Sequence, residues 1–353
     1  MATVFRAVLP GRRLRQGLAA LAVTGVVLAA GTAAAGAAPA AGQGPRHEAA
    51  RILNPVLIGL VTEGGEALVK EGSLTARWNH EHSGISRIAV ATDPKHGPLI
   101  AVLTSNGELL VKEGSLTAKW HYEYSGLLPA TAQIAVASDP VHGPLIAVLT
   151  NAGEVLVKEG SLTAKWHDEY GGGYDIAVAS DQKHGPLIAV RTENNELLVK
   201  EGSLKARWNR EHSGVEYLIA AASDAVHGPL LAMVLLDGAM LAKDRTLTAT
   251  WSHEYAGVWE VAVASDSAHG PLIAIQPDTG KYARGLLVKD GSLSAGWDHE
   301  YSNVGLFAVA SDAVWGPVIA ATSGGELLVK EGSLTARWDR EYRGQVRWVA
   351  VAG

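Results

Sequence analysis

The chain has 353 residues, of which 47% are hydrophobic, with 40 glycines and 14 prolines. This composition is typical of a globular protein with many turns and excludes a disordered chain. The absence of cysteine excludes disulfides and thiolate sites. The formal net charge is −6, and loss of the four arginines in residues 1–40 would make it −10. Nucleic acid binding needs clustered Lys and Arg, so we expect no nucleic acid partner.

The N-terminal residues predict an export signal. Residues 1–17 carry four arginines and no acid, and an apolar run rich in Ala and Gly follows them. The sequence Ala38–Ala40 reads A-P-A, which fits a signal peptidase site, with Ala35 as the alternative. We therefore predict a signal peptide over 1–40, a linker over 41–55 and a secreted protein. Because no stop-transfer charges follow the apolar run, we expect no membrane span. The adjacent arginines at 12 and 13 leave twin-arginine export open.

A motif of ten residues, V-K-E-G-S-L-T-A-R-W from Val69 to Trp78, recurs along the chain. Close copies begin at Val111, Val157, Val199 and Val329, and looser ones begin at Ala242 and Val288. The seven tryptophans that end the copies are 41 to 46 residues apart: Trp78, Trp120, Trp166, Trp208, Trp251, Trp297 and Trp338. A period of this size indicates a solenoid or a propeller.

Each repeat contains four short apolar or alternating runs separated by turn residues. In the second repeat the runs are Pro98–Thr104, Glu108–Gly114, Ala118–Tyr124 and Gln133–Asp139. No window keeps a helical period, which excludes a helical array, and the coils of a parallel β-helix are usually shorter. We therefore predict an all-β fold over 56–353, a seven-bladed β-propeller with four antiparallel strands per blade.

The two ends of the repeat region predict how the ring closes. The repeats begin at Val56 without the I-A-V-A-S-D run, and they end at Trp348–Gly353, which supplies that missing run. We predict that this run is the innermost strand, because its alanines suit the crowded axis. The C-terminal strand would then complete the N-terminal blade and leave no open sheet edge.

The motif W-x-x-E-[HY] occurs in all seven repeats and is the first candidate binding feature. An aromatic ring beside a carboxylate is typical of sugar sites, where pyranose C–H faces pack on the ring and hydroxyls donate to the acid. The alternative is that the tryptophan belongs to the core and the acid pairs with a lysine such as Lys70 or Lys112. Residues three apart on a strand face opposite sides, so a site that uses both must form between blades.

Two further patterns recur. The motif D-x-x-H-G-P joins the inner strand to the next, and we interpret it as a structural Asp–His pair that resembles those of tryptophan–aspartate repeat propellers. Its copies are Asp93/His96, Asp139/His142, Asp181/His184, Asp224/His227 and Asp266/His269, with Asp312/Trp315 in the sixth. These histidines would lie a whole blade apart, so we expect no metal site.

The residue before each inner strand varies freely, which predicts that this position does not hold the fold and lines the channel or a face. The residues at this position are Arg87, Gln133, Asp175, Leu218, Glu260, Leu306 and Trp348. Two insertions, Leu127–Ala132 and Asp278–Gly285, are either binding loops or sequence drift.

The repeat units L-L-V-K-E-G-S-L-x-A-x-W-x-x-E-Y and I-A-V-A-S-D-x-x-H-G-P-L-I-A-V resemble tandem repeats of secreted actinobacterial proteins. Their layout is similar to that of tachylectin-type and bacterial propeller lectins, over residues 56–353. The resemblance implies shallow sugar sites between blades, built from a Trp or Tyr, an acid and backbone groups. It assigns ligand binding to Trp78, Glu81, His82, Trp120, Glu123, Tyr124, Trp166, Glu169, Tyr170, Trp208, Glu211, His212, Trp338, Glu341 and Tyr342. Arg245 and Trp315 break the pattern, so we expect the fifth and sixth copies to lack a working site.

These patterns support one main hypothesis and leave two alternatives. The main one is a secreted, non-enzymatic, lectin-like propeller with several similar weak sites for glycans or glycoconjugates. We expect no enzyme and no cofactor, because no catalytic motif is present and the acids and histidines are spaced evenly rather than gathered at one site. The alternatives are a protein-binding scaffold in a secreted assembly, with specificity in the inserted loops, and a hydrolase or lyase at one end of the channel.

Overall fold

The computed structural model describes residues 56–353 and the dipeptide Val27–Leu28, which pairs in parallel with Ser180 and Asp181. The predicted signal peptide and linker otherwise lie outside the described residues, so the cleavage site and the secretion stay predictions. Within the described part of the chain, no helix is long and apolar enough to cross a membrane.

The described residues form seven blades of four antiparallel strands each, which confirms the predicted seven-bladed β-propeller, and the dipeptide adds a parallel strand to one of these sheets. The dipeptide is β1, and the others are numbered in chain order. The first blade contains β2 (Leu57–Thr62), β3 (Ala67–Glu71), β4 (Asn79–His82) and β29 (Val346–Ala352). The second contains β5 (Ile85–Asp93), β6 (Gly97–Thr104), β7 (Leu109–Glu113) and β8 (His121–Tyr124). The third contains β9 (Gln133–Asp139), β10 (Gly143–Leu149), β11 (Glu154–Glu159) and β12 (His167–Gly171).

The remaining four blades follow the same plan. The fourth contains β13 (Gly173–Asp181), β14 (Gly185–Thr192), β15 (Glu196–Glu201) and β16 (Asn209–Ser213). The fifth contains β17 (Val215–Asp224), β18 (Gly228–Leu235), β19 (Met240–Lys243) and β20 (Ser252–Tyr255). The sixth contains β21 (Val258–Asp266), β22 (Gly270–Pro277), β23 (Leu286–Asp290) and β24 (Asp298–Tyr301). The seventh contains β25 (Phe307–Asp312), β26 (Gly316–Ser323), β27 (Glu326–Glu331) and β28 (Asp339–Arg343).

The ring closes as the sequence predicts. The I-A-V-A-S strand lies at one edge of each four-stranded blade, and it contacts the equivalent strands of both neighbouring blades. In the first blade β29 pairs with β2, with Leu57 opposite Ala352 and Val61 opposite Trp348. The two ends of the repeat region therefore share one sheet, and the inner strand of the first blade comes from the C-terminus.

The alternation of alanine with larger residues in the inner strands fits neighbouring blades together. Ala89 and Ala91 of the second blade share one buried cluster with Ile134 and Val136 of the third. The next boundary repeats this arrangement one blade further along the chain. Small residues on one face thus receive the larger residues of the next blade, which gives the close packing that protein cores need.

The strand connections divide the ring into two faces. The connections from second to third strand and from fourth strand to the next blade share the upper face, where Leu127 N–H donates to Gly107 C=O at 3.1 Å. The other two connections share the lower face, where Gly114 N–H donates to Pro98 C=O at 2.9 Å. Both insertions, Leu127–Ala132 and Asp278–Gly285, belong to upper-face connections.

The D-x-x-H-G-P motif is structural, as its sequence indicates. Asp93 is fully buried, its Oδ1 accepts hydrogen bonds from the backbone N–H groups of Lys95 and His96, and its Oδ2 lies 3.0 Å from His96 Nδ1. Asp93 also accepts a hydrogen bond from Ser138 of the next blade. Five blade boundaries have this bond: Asp93–Ser138, Asp139–Ser180, Asp181–Ser223, Asp224–Ser265 and Asp266–Ser311. No group of three potential metal ligands is found among the described residues.

Replacing Ser180 with alanine is expected to lower the free energy of unfolding by about 1.5 to 3 kcal/mol, because it removes one donor from the buried carboxylate of Asp139. Denaturant unfolding of the variant would measure this loss. Ser125→Ala, at an exposed position, is the matched control and should change stability by less than about 0.5 kcal/mol. Equal stability of the two variants would show that the serine does not stabilise the boundary.

Candidate functional site

A cluster of side chains that joins each blade to the next occupies the positions of the predicted sugar sites. At the second blade, the Lys112 ammonium contacts the Glu81 carboxylate and the Leu116 carbonyl oxygen, and it lies 4.9 Å from the centre of the Trp120 ring. Trp120 Nε1 donates to the backbone oxygen of Glu81 at 3.4 Å, and His82 lies edge-on to the ring at 6.0 Å. We call this arrangement an interblade clasp.

The clasp recurs at all seven blade boundaries, with the lysine 4.8 to 5.1 Å from the tryptophan ring in each. Each clasp takes an acid and a His or Tyr from one blade and a Lys and a Trp from the next. The members are Glu81/His82 with Lys112/Trp120, Glu123/Tyr124 with Lys158/Trp166, Glu169/Tyr170 with Lys200/Trp208, Glu211/His212 with Lys243/Trp251, Glu254/Tyr255 with Lys289/Trp297, Glu300/Tyr301 with Lys330/Trp338, and Glu341/Tyr342 with Lys70/Trp78. The recurring ten-residue motif supplies the Lys, the carbonyl that it binds and the Trp.

The predicted site residues therefore meet between blades, as the spacing requires, but their carboxylates are engaged. The seven glutamate side chains are only 2 to 7% exposed, and each is paired with lysine. This is the structural interpretation that the sequence left open. Sugar binding at these residues stays a prediction, and a sugar there would contact the half-buried tryptophan rather than the acid.

The two copies that break the sequence pattern keep their clasps. Arg245 adopts a φ of +75° where other repeats have glycine, and Lys243 still pairs with Glu211. Trp315 lies on the lower face beside a cavity of about 610 Å³ that His269 also lines. The clasp geometry thus does not distinguish these copies, and their lack of a working site stays a prediction.

An open cavity of about 480 Å³ on the upper face gathers residues that differ from blade to blade. We call it the upper cavity, and its polar and aromatic lining comes from the second to the fifth blade: Arg87, Gln133, Asn151, Tyr174, Arg191, Glu193 and Tyr217. Ala130 and Thr131 of the inserted loop Leu127–Ala132 complete one wall. The sequence analysis named Arg87, Gln133 and the loop as candidates, but it did not predict that they lie together.

Two residues at the variable position bridge neighbouring blades. Gln133 Oε1 accepts a hydrogen bond from Ile176 N–H at 3.2 Å, and Asp175 Oδ2 accepts one from Ile219 N–H at 3.2 Å. The prediction that this position does not hold the fold is therefore wrong for these two residues. Their short polar side chains reach the next inner strand, which sequence variation alone does not reveal.

Arg191 is a buried cation in the wall of the upper cavity. It lies opposite Asp175 across a strand pair, and its guanidinium carbon is 4.8 Å from the centre of the Tyr174 ring. Arg191 is 8% exposed, and its Nε has no hydrogen-bond partner among the described residues. Burial raises the pKa of Asp175 to about 7, although the charge of Arg191 opposes the rise.

Arg87 holds the inserted loop against the same cavity. Its Nε and Nη2 donate to the carbonyl oxygens of Pro129 and Ala130, both at 3.3 Å, and its guanidinium lies 4.8 Å from the centre of the Trp348 ring. Burial lowers the pKa of Arg87 to about 10, and the nearby charge of Arg347 contributes. The arginine stays protonated at neutral pH.

Exposed aromatic rings lie at the upper-face ends of three consecutive inner strands, and the sequence analysis missed them. Tyr174, Tyr217 and Trp259 are 62, 42 and 55% exposed. Each directly precedes the variable position of its blade. A comparison of the blades one residue earlier would have found them, because the other blades have non-aromatic residues there.

Comparisons with known proteins find a similar fold in solved structures. No protein-family model matches the chain, and no curated protein matches it. Among solved structures, the BP39L lectin from Burkholderia pseudomallei is 16% identical, with a TM-score of 0.62 over 84% of this chain and 96% of that one. BBS1N, solved in complex with ARL6DN, is 15% identical, with a TM-score of 0.53 over 80% and 89% of the two chains. AofleA from Arthrobotrys oligospora is 10% identical, with a TM-score of 0.50 over 75% and 88%. Because the identities are this low, the similarity shows a shared fold with these proteins and nothing further.

Proposed function

We propose that the protein is a secreted, non-enzymatic carbohydrate-binding propeller and that the upper cavity is its main sugar site. The observation that carries the proposal is the pair of exposed rings of Tyr174 and Tyr217 beside Asn151, Arg191 and Glu193 in one open cavity. Sugar C–H groups pack on aromatic faces, and sugar hydroxyls bond to a few well-placed polar groups. The cavity offers both.

The difference between the clasps and the upper cavity supports this assignment. The clasps are alike at all seven boundaries and their acids are paired with lysine, as expected of groups that hold the ring together. The residues of the upper cavity differ between blades, as expected of a site that the fold carries but does not require. The similar BP39L propeller is itself a lectin. We propose the clasp tryptophans as additional weak contacts, which would raise avidity on a glycan-dense surface.

Replacing Tyr174 and Tyr217 together with alanine is expected to weaken glycan binding by at least about tenfold, or about 1.4 kcal/mol, because both stacking faces are lost. A glycan array with the purified protein would identify the ligand, and titration with that glycan would measure the change. Tyr122→Ala, an equally exposed ring on the outer strand of the second blade, is the matched control. An array without any bound glycan on folded protein would overturn the proposal.

Protein binding is the second candidate function, and one observation favours it. Five of the nine large exposed hydrophobic side chains of the described residues lie on the upper face: Leu128, Tyr174, Tyr217, Leu236 and Trp259. Large exposed apolar patches often mark protein contacts, and the similar BBS1N propeller was solved in complex with ARL6DN. Loss of a specific partner from culture supernatant on replacing Leu128 and Trp259 with serine, without any glycan ligand, would favour this function.

A further inference from the structure

We infer that the upper cavity selects saccharides that carry an anionic group, a carboxylate or a sulfate, and that Arg191 binds this group with support from Arg87. The inference rests on the proposed function, because it names the class of sugar that the same cavity takes.

Arg191 is a buried guanidinium without a close charged partner. Its side chain lines the cavity, it is 8% exposed, and neither a hydrogen bond from its Nε nor an ion pair within 4.0 Å is found among the described residues. Asp175 on the paired strand attracts the guanidinium, but it forms no ion pair with Arg191 within 4.0 Å. A buried charge without a close counter-ion is costly. A planar guanidinium binds carboxylate and similar oxyanions through two parallel hydrogen bonds. An anionic group in the cavity would supply the missing partner.

The fold does not require an arginine at this position. The equivalent residues of the second and third blades are Leu103 and Leu149, and both are buried in the packing between blades. A leucine would therefore satisfy the local packing in the fourth blade. The guanidinium instead lies against the exposed ring of Tyr174, where a sugar face would pack.

The charges around the cavity also favour an anion. Arg87 and Arg191 are two lining cations, and among the lining residues that the structure describes Glu193 is the one acidic side chain. Arg87 donates only to backbone carbonyls, so its charge is not neutralised by an acid within bonding distance in the described structure. Glu193 is exposed, and Asp175, whose charge acts on both arginines, is not among the described lining residues. Cations thus outnumber acids in the described lining of the cavity, in a chain whose formal net charge is −6.

The experiment is a glycan array in which each neutral glycan is paired with its uronate and its sulfated counterpart. We expect the purified protein to bind anionic members at least about tenfold more strongly than their neutral partners. Arg191→Leu should abolish that preference and remain folded, since sister blades have leucine there. Arg210→Leu, which removes an exposed arginine paired with Glu196 on the outer half of the same blade, should keep it. The uronate and sulfate arms decide which anion is selected.

Each outcome decides the inference. Equal binding of neutral and anionic glycans would overturn the charge selection and leave the proposed function intact. A preference that persists in Arg191→Leu would overturn the role of this residue. Absence of any glycan binding would overturn the proposed function and the inference together, and binding of free sulfate or acetate alone would show an anion site without a saccharide.

Discussion

Replacing Lys158 with alanine is expected to reduce the free energy of unfolding by about 3 to 5 kcal/mol. Lys158 is buried in a clasp, where it neutralises Glu123, donates to the Leu162 carbonyl oxygen at 2.9 Å and lies 5.0 Å from the centre of the Trp166 ring. The large loss arises because the substitution leaves the Glu123 carboxylate buried without its counter-ion. Denaturant unfolding at neutral pH would measure it.

The same repeat offers a matched control for this prediction. Lys165 is exposed, so Lys165→Ala should change stability by less than about 0.5 kcal/mol. The double variant Glu123→Gln, Lys158→Met should recover part of the loss, because it removes both buried charges while keeping most of the packing volume. If Lys158→Ala were as stable as Lys165→Ala, the clasp would not be a main source of stability.

The second large effect is a dependence of stability on pH through Glu260. This side chain of the sixth blade is 6% exposed, its Oε1 has no hydrogen-bond partner among the described residues, and burial raises its pKa to about 8. We expect the free energy of unfolding to fall as the pH rises from about 4.5 to about 8. The slope from this one group should reach about 1.4 kcal/mol per pH unit.

The free energy of unfolding falls with pH because the folded and unfolded chains differ in whether Glu260 carries a proton. Between these pH values the unfolded chain has an ionised glutamate, while the folded chain keeps the proton on Glu260, so higher pH favours unfolding. Asp175, whose pKa burial also raises, acts in the same direction up to a pH of about 7. The contribution of Glu260 is therefore the difference between the wild type and a variant that cannot titrate.

Glu260→Gln is that variant, and the third blade already has glutamine, Gln133, at the equivalent position. We expect it to raise the melting temperature clearly at pH 8 and little at pH 4.5. Glu154→Gln, at an exposed position, is the control and should show no such difference. A Glu260→Gln protein with the same pH profile as the wild type would contradict the assignment.

The sequence predicted the ring well because the ring depends on local and repeated features. The spacing of the tryptophans and the position of the run at Trp348–Gly353 were enough for the blade count and the closing strand, and both are confirmed. The pairing of acids with lysines in the clasps was harder to predict from the sequence. Lys70 belongs to the same repeat as Glu81, yet Glu81 pairs with Lys112 of the next blade, because the acid faces away from its own repeat.

The sequence pattern did not predict the upper cavity, for a different reason. Tyr174 and Arg191 meet because the two strands of a hairpin place Asp175 opposite Arg191. Arg87 and Tyr217 line the same cavity only because the ring brings the second and fifth blades together around it. Repeat alignment compares equivalent positions and therefore averages out the differences that form this cavity.

The pairing of Leu57 with Ala352 has a consequence for how the chain folds. Every other blade is assembled from neighbouring segments, whereas this sheet must bring together residues separated by almost the whole repeat region. Closing so long a loop is entropically unfavourable, and contacts between distant residues slow folding. Until β29 docks, β2 exposes its backbone donors and acceptors to other chains. We therefore expect aggregation to compete with this last step, so that yield on refolding falls as protein concentration rises.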